Sequence, residues 1–182
     1  MKKYLIILFL IFVTNKSSAE IKENIIQKLK DTKNISFNFE QNINGKVENG
    51  NCVVQYPKKI FCKYKSNNEK ILVSNGKSLV IKTKTSFYLY PLEKTPLNLI
   101  LDKNYLIDKI KLLNERIVEN KFINFTFVEN DNEINIFFSK KNFDLIGWQT
   151  LDIYQNLSIT FLSSIFKNQK IDKDLFILPK QN

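Results

Sequence analysis

Apolar and polar residues alternate along most of this chain, which is the pattern of β-strands with one buried face. The alternation begins with Phe37 and Phe39, whose neighbours are polar, and turn-forming residues interrupt it at short intervals. Successive strands should therefore pair as antiparallel hairpins. We predict a sheet of ten or eleven strands, drawn from the segments 36–40, 47–55, 60–66, 69–74, 77–82, 85–90, 116–119, 121–128, 133–139, 143–153, 157–163 and 174–179. A sheet of that size must curl.

Three segments depart from the alternation and predict helices. Residues 20–33 carry an apolar stripe at helical spacing. Residues 95–101 open with Thr95 and Pro96, which are typical of an N-cap and of a first helical position. Residues 104–114 carry a second apolar stripe. These helices are too few to cover both faces of the sheet, so we expect them over its concave face. The predicted fold class is mainly β with a helical part.

The segment ILVSNGKSLVIK, residues 71–82, predicts a tight hairpin centred on an Asn75-Gly76 turn. Both faces of this hairpin are apolar, although a half-solvated antiparallel sheet should be polar on one face. Two interpretations remain open: protein covers both faces, or one face is kept for an apolar ligand. The predicted cross-strand pairs are Leu72 with Leu79 on one face and Ile71 with Val80 on the other.

The first nineteen residues have the features of a secretory signal peptide. Two lysines precede an apolar run over residues 4–13, and the small residues Ser17, Ser18 and Ala19 form a cleavage site. The run is too short to span a bilayer, which disfavours the alternative of a retained membrane anchor. No cysteine follows the site, so no lipid anchor is expected. We predict an exported protein whose residues 20–182 form one domain.

Charge and composition exclude several function classes. The formal net charge is +10, but Arg116 is the one arginine among the 28 basic residues, and nucleic-acid readers favour arginine. The chain has no histidine, so the usual general base and the commonest transition-metal ligand are missing. Asp172 and Asp174 form a carboxylate pair in a lysine-rich stretch, where solvated acids are expected. We predict no nucleic-acid binding, no metal, no cofactor and no catalysis.

Cys52 and Cys62 are the only two cysteines and flank the turn segment Tyr56-Pro57-Lys58-Lys59. A turn of three or five residues would place them directly opposite each other, within range of a disulfide. An even number of thiols in an oxidising compartment favours that bridge. The alternative is two buried free thiols that act as small apolar residues.

Several segments occur in an order that resembles one known family. They are SFNFEQ (36–41), YPKKIFCKY (56–64), ILVSNGKSLVIK (71–82), TPLNLIL (95–101) and SSIFKNQKIDKDLFILP (163–179). Together they are similar to the LolA-like family of periplasmic carriers of outer-membrane lipoproteins. The similarity extends along nearly all of residues 20–182.

The resemblance implies an unclosed barrel of about eleven antiparallel strands, with a helical lid over an apolar cavity. It implies a monomer in the periplasm of a Gram-negative bacterium. Such a carrier receives triacylated lipoproteins from an inner-membrane lipoprotein-releasing ABC transporter and passes them to an outer-membrane lipoprotein acceptor. Acyl chains need such shielding in water, because each exposed methylene costs about 0.8 kcal/mol. Alternatives are a lipid or glycolipid carrier or sensor on the same scaffold, an exported enzyme, and a structural envelope protein.

Aromatic alternation predicts which residues line the cavity. The expected lining is Phe37, Phe39, Ile60, Cys62, Leu79, Phe125, Phe127 and Trp148. The expected lid contacts are Ile25, Leu29, Leu97 and Leu101. Tyr56 stands where the family commonly has an arginine that holds the lid, and it offers only one hydroxyl. Cys62 stands where a large aromatic residue is typical, whereas Ile60 keeps the apolar character of its position.

Overall fold

The computed structural model describes residues 18–66, 68–129, 132–151 and 155–181. The predicted signal peptide lies outside these ranges except for Ser18 and Ala19, which begin the first helix. The predicted strand 143–153 likewise extends beyond the described residues at its end, and the structure gives it as 145–151.

Within the described residues, eleven antiparallel strands form one continuous sheet. The strand order is β6-β5-β4-β3-β2-β1-β11-β10-β9-β8-β7, so the first strand, β1, pairs with the last strand, β11, in the middle of the sheet. Edges β6 and β7 are not paired with each other, and the sheet is not closed. The predicted fold class is confirmed. The strands are β1 Asn34–Ile43, β2 Lys46–Gln55, β3 Lys59–Tyr64, β4 Ile71–Asn75, β5 Ser78–Lys82, β6 Phe87–Pro91, β7 Arg116–Val118, β8 Phe122–Glu129, β9 Asn132–Ser139, β10 Leu145–Leu151 and β11 Leu157–Lys167.

Three α-helices occur in the described residues: α1 Ser18–Asp31, α2 Leu97–Ile100 and α3 Lys103–Leu112. Helix α1 buries the stripe Ile21, Ile25 and Leu29 and packs against α3. Helices α2 and α3 belong to the connection between the edge strands β6 and β7, which starts with a 3-10 helix at Leu92–Lys94. Helix α1 therefore precedes the first strand, whereas α2 and α3 lie in the connection between the two edge strands of the sheet.

Helix α2 begins one residue later than predicted, at Leu97, with Pro96 at the N-cap position. Thr95 is extended and ends the preceding 3-10 helix, so the predicted N-cap role of Thr95 is wrong. The Thr95 hydroxyl donates to the Leu92 carbonyl at 2.8 Å. It thus closes the preceding 3-10 turn instead of capping α2.

The predicted register of the 71–82 hairpin is wrong: each residue pairs with a partner two positions away from the predicted one. The structure pairs Leu72 with Ile81 and Ser74 with Leu79. The predicted pairs of Leu72 with Leu79 and of Ile71 with Val80 therefore do not form. A slip of one residue would have reversed the faces, but this slip moves pairing partners by two, so each side chain stays on its predicted face.

The turn chemistry explains the slip. The two loop residues are Gly76 and Lys77, and Gly76 has φ +97°. Glycine at the first loop position is the signature of a type II′ turn, whereas the prediction assumed a type I′ turn on Asn75-Gly76. The Asn75 side chain caps the loop by accepting from the backbone N–H groups of Lys77 and Ser78, each at 3.0 Å.

Different parts of the chain lie on the two apolar faces of this hairpin. Leu72, Leu79 and Ile81 line a cavity on the concave side. On the other side Val73 and Val80 are each 1% exposed, and the C-terminal 3-10 helix packs against β3 and β4. Protein therefore covers one face, and the cavity adjoins the other.

The predicted last strand, 174–179, is wrong. Lys173–Phe176 forms a 3-10 helix, and the Asp172 carboxylate accepts a 3.0 Å hydrogen bond from the Asp174 N–H at its start. Phe176 is 4% exposed and supplies the apolar contact. The strands beneath it, β3 and β4, already have neighbours on both sides, so no backbone edge is free to pair with another strand.

Candidate functional site

An open cavity of about 430 Å³ lies on the concave side of the sheet. Strands β1–β6, β10 and β11 form its walls, and residues 95–97 at the start of α2 also line it. Its volume is in the range of small-molecule binding sites. Strand β1, for example, contributes the alternate residues Phe37, Phe39, Gln41 and Ile43, because successive side chains point to opposite faces.

One half of the cavity wall is apolar. Phe37 and Trp148 meet edge to face with ring centroids 6.4 Å apart. Phe39 lies over Gly50, where an added Cβ would come within 2.6 Å of the ring. Glycine at this position therefore makes the room for the Phe39 ring. The apolar lining consists of Phe37, Phe39, Cys52, Ile60, Cys62, Leu72, Leu79, Ile81, Leu97 and Trp148.

A disulfide joins Cys52 and Cys62 within this apolar wall. The two residues are direct partners in the β2–β3 pairing, because residues 56–58 form a turn of three residues. Both are at most 5% exposed. The bridge thus ties two neighbouring strands together and places its sulfur atoms at the surface that a ligand would contact.

The other half of the cavity wall is mainly polar, with Ile43 and Leu151 as its apolar residues, and lies at the end remote from α1. Gln41 follows Phe37 and Phe39 on the inner face of β1, and its amide donates to Ser158 Oγ at 3.0 Å and Thr160 Oγ1 at 3.2 Å. The Tyr64 hydroxyl donates to Gln41 Oε1 at 3.4 Å, which orients the amide. Thr150 pairs with Ser158 and also lines the cavity.

A charged rim borders the polar half. Glu48 forms ion pairs with Lys70 at 2.6 Å and with Lys46 at 3.4 Å, and the Lys70 ammonium lies 4.1 Å from the centroid of the Tyr64 ring. Burial of Glu48 raises its pKa, but the hydrogen bond and charge of Lys70, together with Lys46, outweigh burial and leave the pKa lowered. Burial, with the nearby Glu48 charge, raises the pKa of Tyr64. Glu48 is therefore ionised and Tyr64 neutral at pH 7.

Six of the eight residues predicted to line the cavity do so, and two do not. Phe125 and Phe127 are buried on the same face of the sheet but lie outside the cavity lining. The Phe127 ring packs edge to face against Tyr105 of α3, with centroids 5.9 Å apart. The Tyr105 hydroxyl in turn donates to Glu129 at 2.7 Å. Helix α3 covers this part of the sheet, so Phe125 and Phe127 belong to the hydrophobic core.

The predicted lid residues also divide into two groups. Leu97 lines the cavity directly. Ile25, Leu29 and Leu101 are at most 4% exposed and belong to the core that the helices share with the sheet. Only the start of α2 therefore contacts the cavity, while α1 packs beyond its apolar end.

The Tyr56 hydroxyl makes no hydrogen bond with the described residues, and the Tyr56 ring packs on the core. Burial raises the pKa of Tyr56, so its hydroxyl stays neutral. Lys58, two residues further on, holds the helices instead. Its backbone N–H donates to the Leu101 carbonyl at 3.0 Å, and its ammonium lies 3.3 Å from Asp102 Oδ2. Lys58 therefore links this turn to the helices, and the Lys103 ammonium of α3, 5.9 Å from the centroid of the Tyr56 ring, adds a second contact.

A second lysine joins α1 to α3. The Lys103 ammonium donates to the carbonyl of Lys30 at 3.1 Å and to that of Thr32 at 2.9 Å. These carbonyls lie at the end of α1, where a cation is favoured. The two helices are therefore fastened to each other as well as to the sheet.

Sequence reasoning missed the polar half of the cavity. Gln41 continues the inward parity of Phe37 and Phe39, and Thr160 and Ser158 have one parity on β11. Alternation alone would have pointed them inward, but the predicted lining includes apolar residues only. Among the described residues, no cluster has the three or more acidic, cysteine or histidine side chains that could hold a metal ion. No described helix is both long and apolar enough to cross a lipid bilayer.

Comparison with protein families gives one match: residues 30–178 match the model for the outer membrane lipoprotein carrier protein LolA. No curated protein sequence matches significantly.

Comparison with solved structures gives matches at very low identity, of which the first shares the fold. An uncharacterised conserved protein from Thermus thermophilus is 8% identical, with a TM-score of 0.52 over 90% of this chain and 96% of that one. A LolA superfamily protein from Nitrosomonas europaea is 8% identical, with a TM-score of 0.45 over 90% and 99%. The lipoprotein LppX of Mycobacterium tuberculosis is 11% identical, with a TM-score of 0.47 over 86% and 100%.

Proposed function

Because the chain belongs to the LolA family of outer membrane lipoprotein carriers, we propose that it is a periplasmic carrier that shields the acyl chains of lipoproteins in its cavity. It receives triacylated lipoproteins from an inner-membrane lipoprotein-releasing ABC transporter and delivers them, as a monomer, to an outer-membrane lipoprotein acceptor. The apolar half of the 430 Å³ cavity carries this proposal, since it offers an acyl chain an apolar surface away from water.

A release assay tests the proposal directly. Proteoliposomes would contain the releasing transporter and a triacylated lipoprotein, and the purified protein would be added with ATP. We expect lipoprotein to appear in the soluble fraction as a one-to-one complex, identified by native mass spectrometry. Omitting the protein, or adding it without ATP, serves as the control. If the protein carries lipid but never lipoprotein, the lipid or glycolipid carrier is the better assignment; if it binds neither, acyl shielding is wrong.

Carrier function requires the helices to detach at low cost, so we predict early hydrogen exchange in the lid. Amides of residues 25–31 and 97–101 should exchange before those of 71–74 and 79–82 in the ligand-free protein. Short helices depend on tertiary contacts, and the Lys58–Asp102 pair is part-exposed and therefore contributes little stability. Hydrogen-exchange mass spectrometry measures this order, and a bound acylated ligand should change it.

The Lys58→Ala variant sharpens that experiment. It should speed exchange in 97–101 by about fivefold or less, because removing the part-exposed ion pair to Asp102 costs at most about 1 kcal/mol, while leaving 79–82 unchanged. Lys63→Ala, an exposed change on the neighbouring strand β3, is the matched control. Equal protection of all four segments, with and without ligand, would mean that these helices are fixed core and that no lid opens.

A further inference from the structure

The polar half of the cavity has hydrogen-bond donors that no acceptor in the described part of the chain uses. Ser158 and Thr160 are 3% and 4% exposed, and the oxygen of each accepts from the Gln41 amide. Neither hydroxyl donates to any acceptor among the described residues. A buried hydroxyl normally donates as well as accepts. Two O–H donors on the cavity wall that have no acceptor among the described residues therefore point to a ligand that supplies acceptors.

The position of these donors restricts the ligand further. Along β1, Gln41 is four residues from Phe37, a separation of about 13 Å in an extended strand. An acceptor at the polar half therefore has to be joined to an apolar chain that reaches the Phe37 and Trp148 rings. An acyl group has this form, because its carbonyl oxygen is an acceptor without a donor and its tail is purely apolar.

We propose that the cavity reads the carbonyl of an acyl ester or acyl amide, with the Ser158 and Thr160 hydroxyls donating to it and Gln41 holding both hydroxyls in place. This inference rests on the proposed acyl binding and adds its orientation. The tail lies toward the disulfide and Trp148, in the direction of α1. Whatever is attached to the acyl group leaves the cavity at the opposite end, beside the rim formed by Lys46, Glu48 and Lys70.

The charged rim suits this exit. Glu48 and Lys70 neutralise each other at 2.6 Å, and Lys46 is 77% exposed at the end of β2. A polar group emerging here meets the solvated charges of the rim, although Ile43, paired with Lys46, and Leu151 also line this end of the cavity. The opposite orientation would place the carbonyl among Phe37, Cys52 and Cys62, where the described side chains offer it no donor, and an unpaired polar group buried there is costly.

The test compares single-chain lipids with a diol headgroup whose linkage to the chain does or does not contain a carbonyl. Affinities of monopalmitoylglycerol, N-palmitoylserinol and hexadecylglycerol ether would be measured by displacement of a fluorescent fatty acid from the purified protein. The first two carry an acyl carbonyl, as ester or amide, and the third carries none. We expect each acyl lipid to bind about tenfold more tightly than the ether, as two hydrogen bonds of ordinary strength allow.

Variants assign the effect to the two hydroxyls. In the double variant Ser158→Ala with Thr160→Val, the acyl lipids should lose their advantage while the ether binds as before. Ser163→Ala, an exposed hydroxyl on the same strand, should keep the advantage. Thermal unfolding of each variant would verify that it is folded, and Ser158→Ala alone serves if the double variant is not.

The outcomes separate this inference from the proposed function. If the wild-type protein binds all three lipids equally, carbonyl reading is wrong while acyl shielding stands. If it binds none, both fail. If the preference persists in the folded double variant, the carbonyl is held elsewhere and the assignment to Ser158 and Thr160 is overturned. An advantage for the ester without the amide, lost in the variant, assigns the site to ester-linked chains.

Discussion

Replacing Ile81 with glutamate is expected to lower affinity for acyl ligands by roughly a hundredfold or more, because an ionised carboxylate on an apolar wall must lose its water when the chain enters. Ile81 lines the cavity, pairs with Leu72 and Tyr88, and is only partly buried in the empty protein. The carboxylate can therefore stay hydrated until ligand arrives. Ile60, at 2% exposed, is a poorer choice since a charge there would unfold the protein.

Leu89→Glu is the matched control for this change. Leu89 is on the adjacent strand β6, is paired with Val80, and is 58% exposed on the other face of the sheet. It introduces the same charge close by without entering the cavity, so affinity should remain near that of the wild-type protein. Fluorescent fatty-acid titration measures both variants, and circular dichroism checks their folds. Equal affinity of the two variants would show that acyl chains bind elsewhere.

Removal of the Cys52–Cys62 disulfide is expected to lower the free energy of unfolding by about 2–4 kcal/mol, the usual range for a native bridge. The ten-residue separation closes a short loop, which favours the lower part of that range. The residues are also buried in the cavity wall, so replacement by alanine removes packing as well as the cross-link. Urea unfolding of the Cys52→Ala, Cys62→Ala double variant measures the loss.

The wild-type protein under reducing conditions separates the two contributions. Reduction removes the cross-link but keeps both sulfur atoms, so its loss of stability should be the smaller. Before reduction, mass spectrometry after alkylation should find no free thiol. Two alkylatable cysteines in the unreduced, folded protein would mean that they act as packing residues alone, and reduction would then leave the unfolding curve unchanged.

Alternation predicted the sheet well because a strand with one buried face has an apolar residue at every second position. Alternation did not predict whether Phe127 contacts a helix or the cavity. Burial under helix α3 and exposure to a cavity require the same inward aromatic residue, so only the path of the chain between β6 and β7 decides between them. The hairpin at 71–82 shows a similar limit, since type I′ and II′ turns both accept the Asn-Gly sequence but differ in which residues form the loop.

The C-terminal segment and the polar half of the cavity were missed for opposite reasons. Phe176 was assigned to a strand because a short apolar run has no distinguishable period, and whether a sheet edge is free to receive it is a property of the whole topology. The predicted lining omits Gln41 because it selects apolar residues at inward positions. The alternation along β1 does predict that Gln41 points inward. Its hydrogen bonds to Ser158 and Thr160 cannot be predicted in this way, because they join strands more than a hundred residues apart in sequence.

The open seam between β6 and β7 has a mechanical consequence. A closed barrel fixes its own circumference through its ring of hydrogen bonds. Here no such bonds join β6 to β7, and the covalent connection across the gap is the segment 92–115 that contains α2 and α3. Any change in the girth of the sheet must therefore be matched by a displacement of that segment. A ligand that widens the sheet is therefore expected to displace α2 and α3.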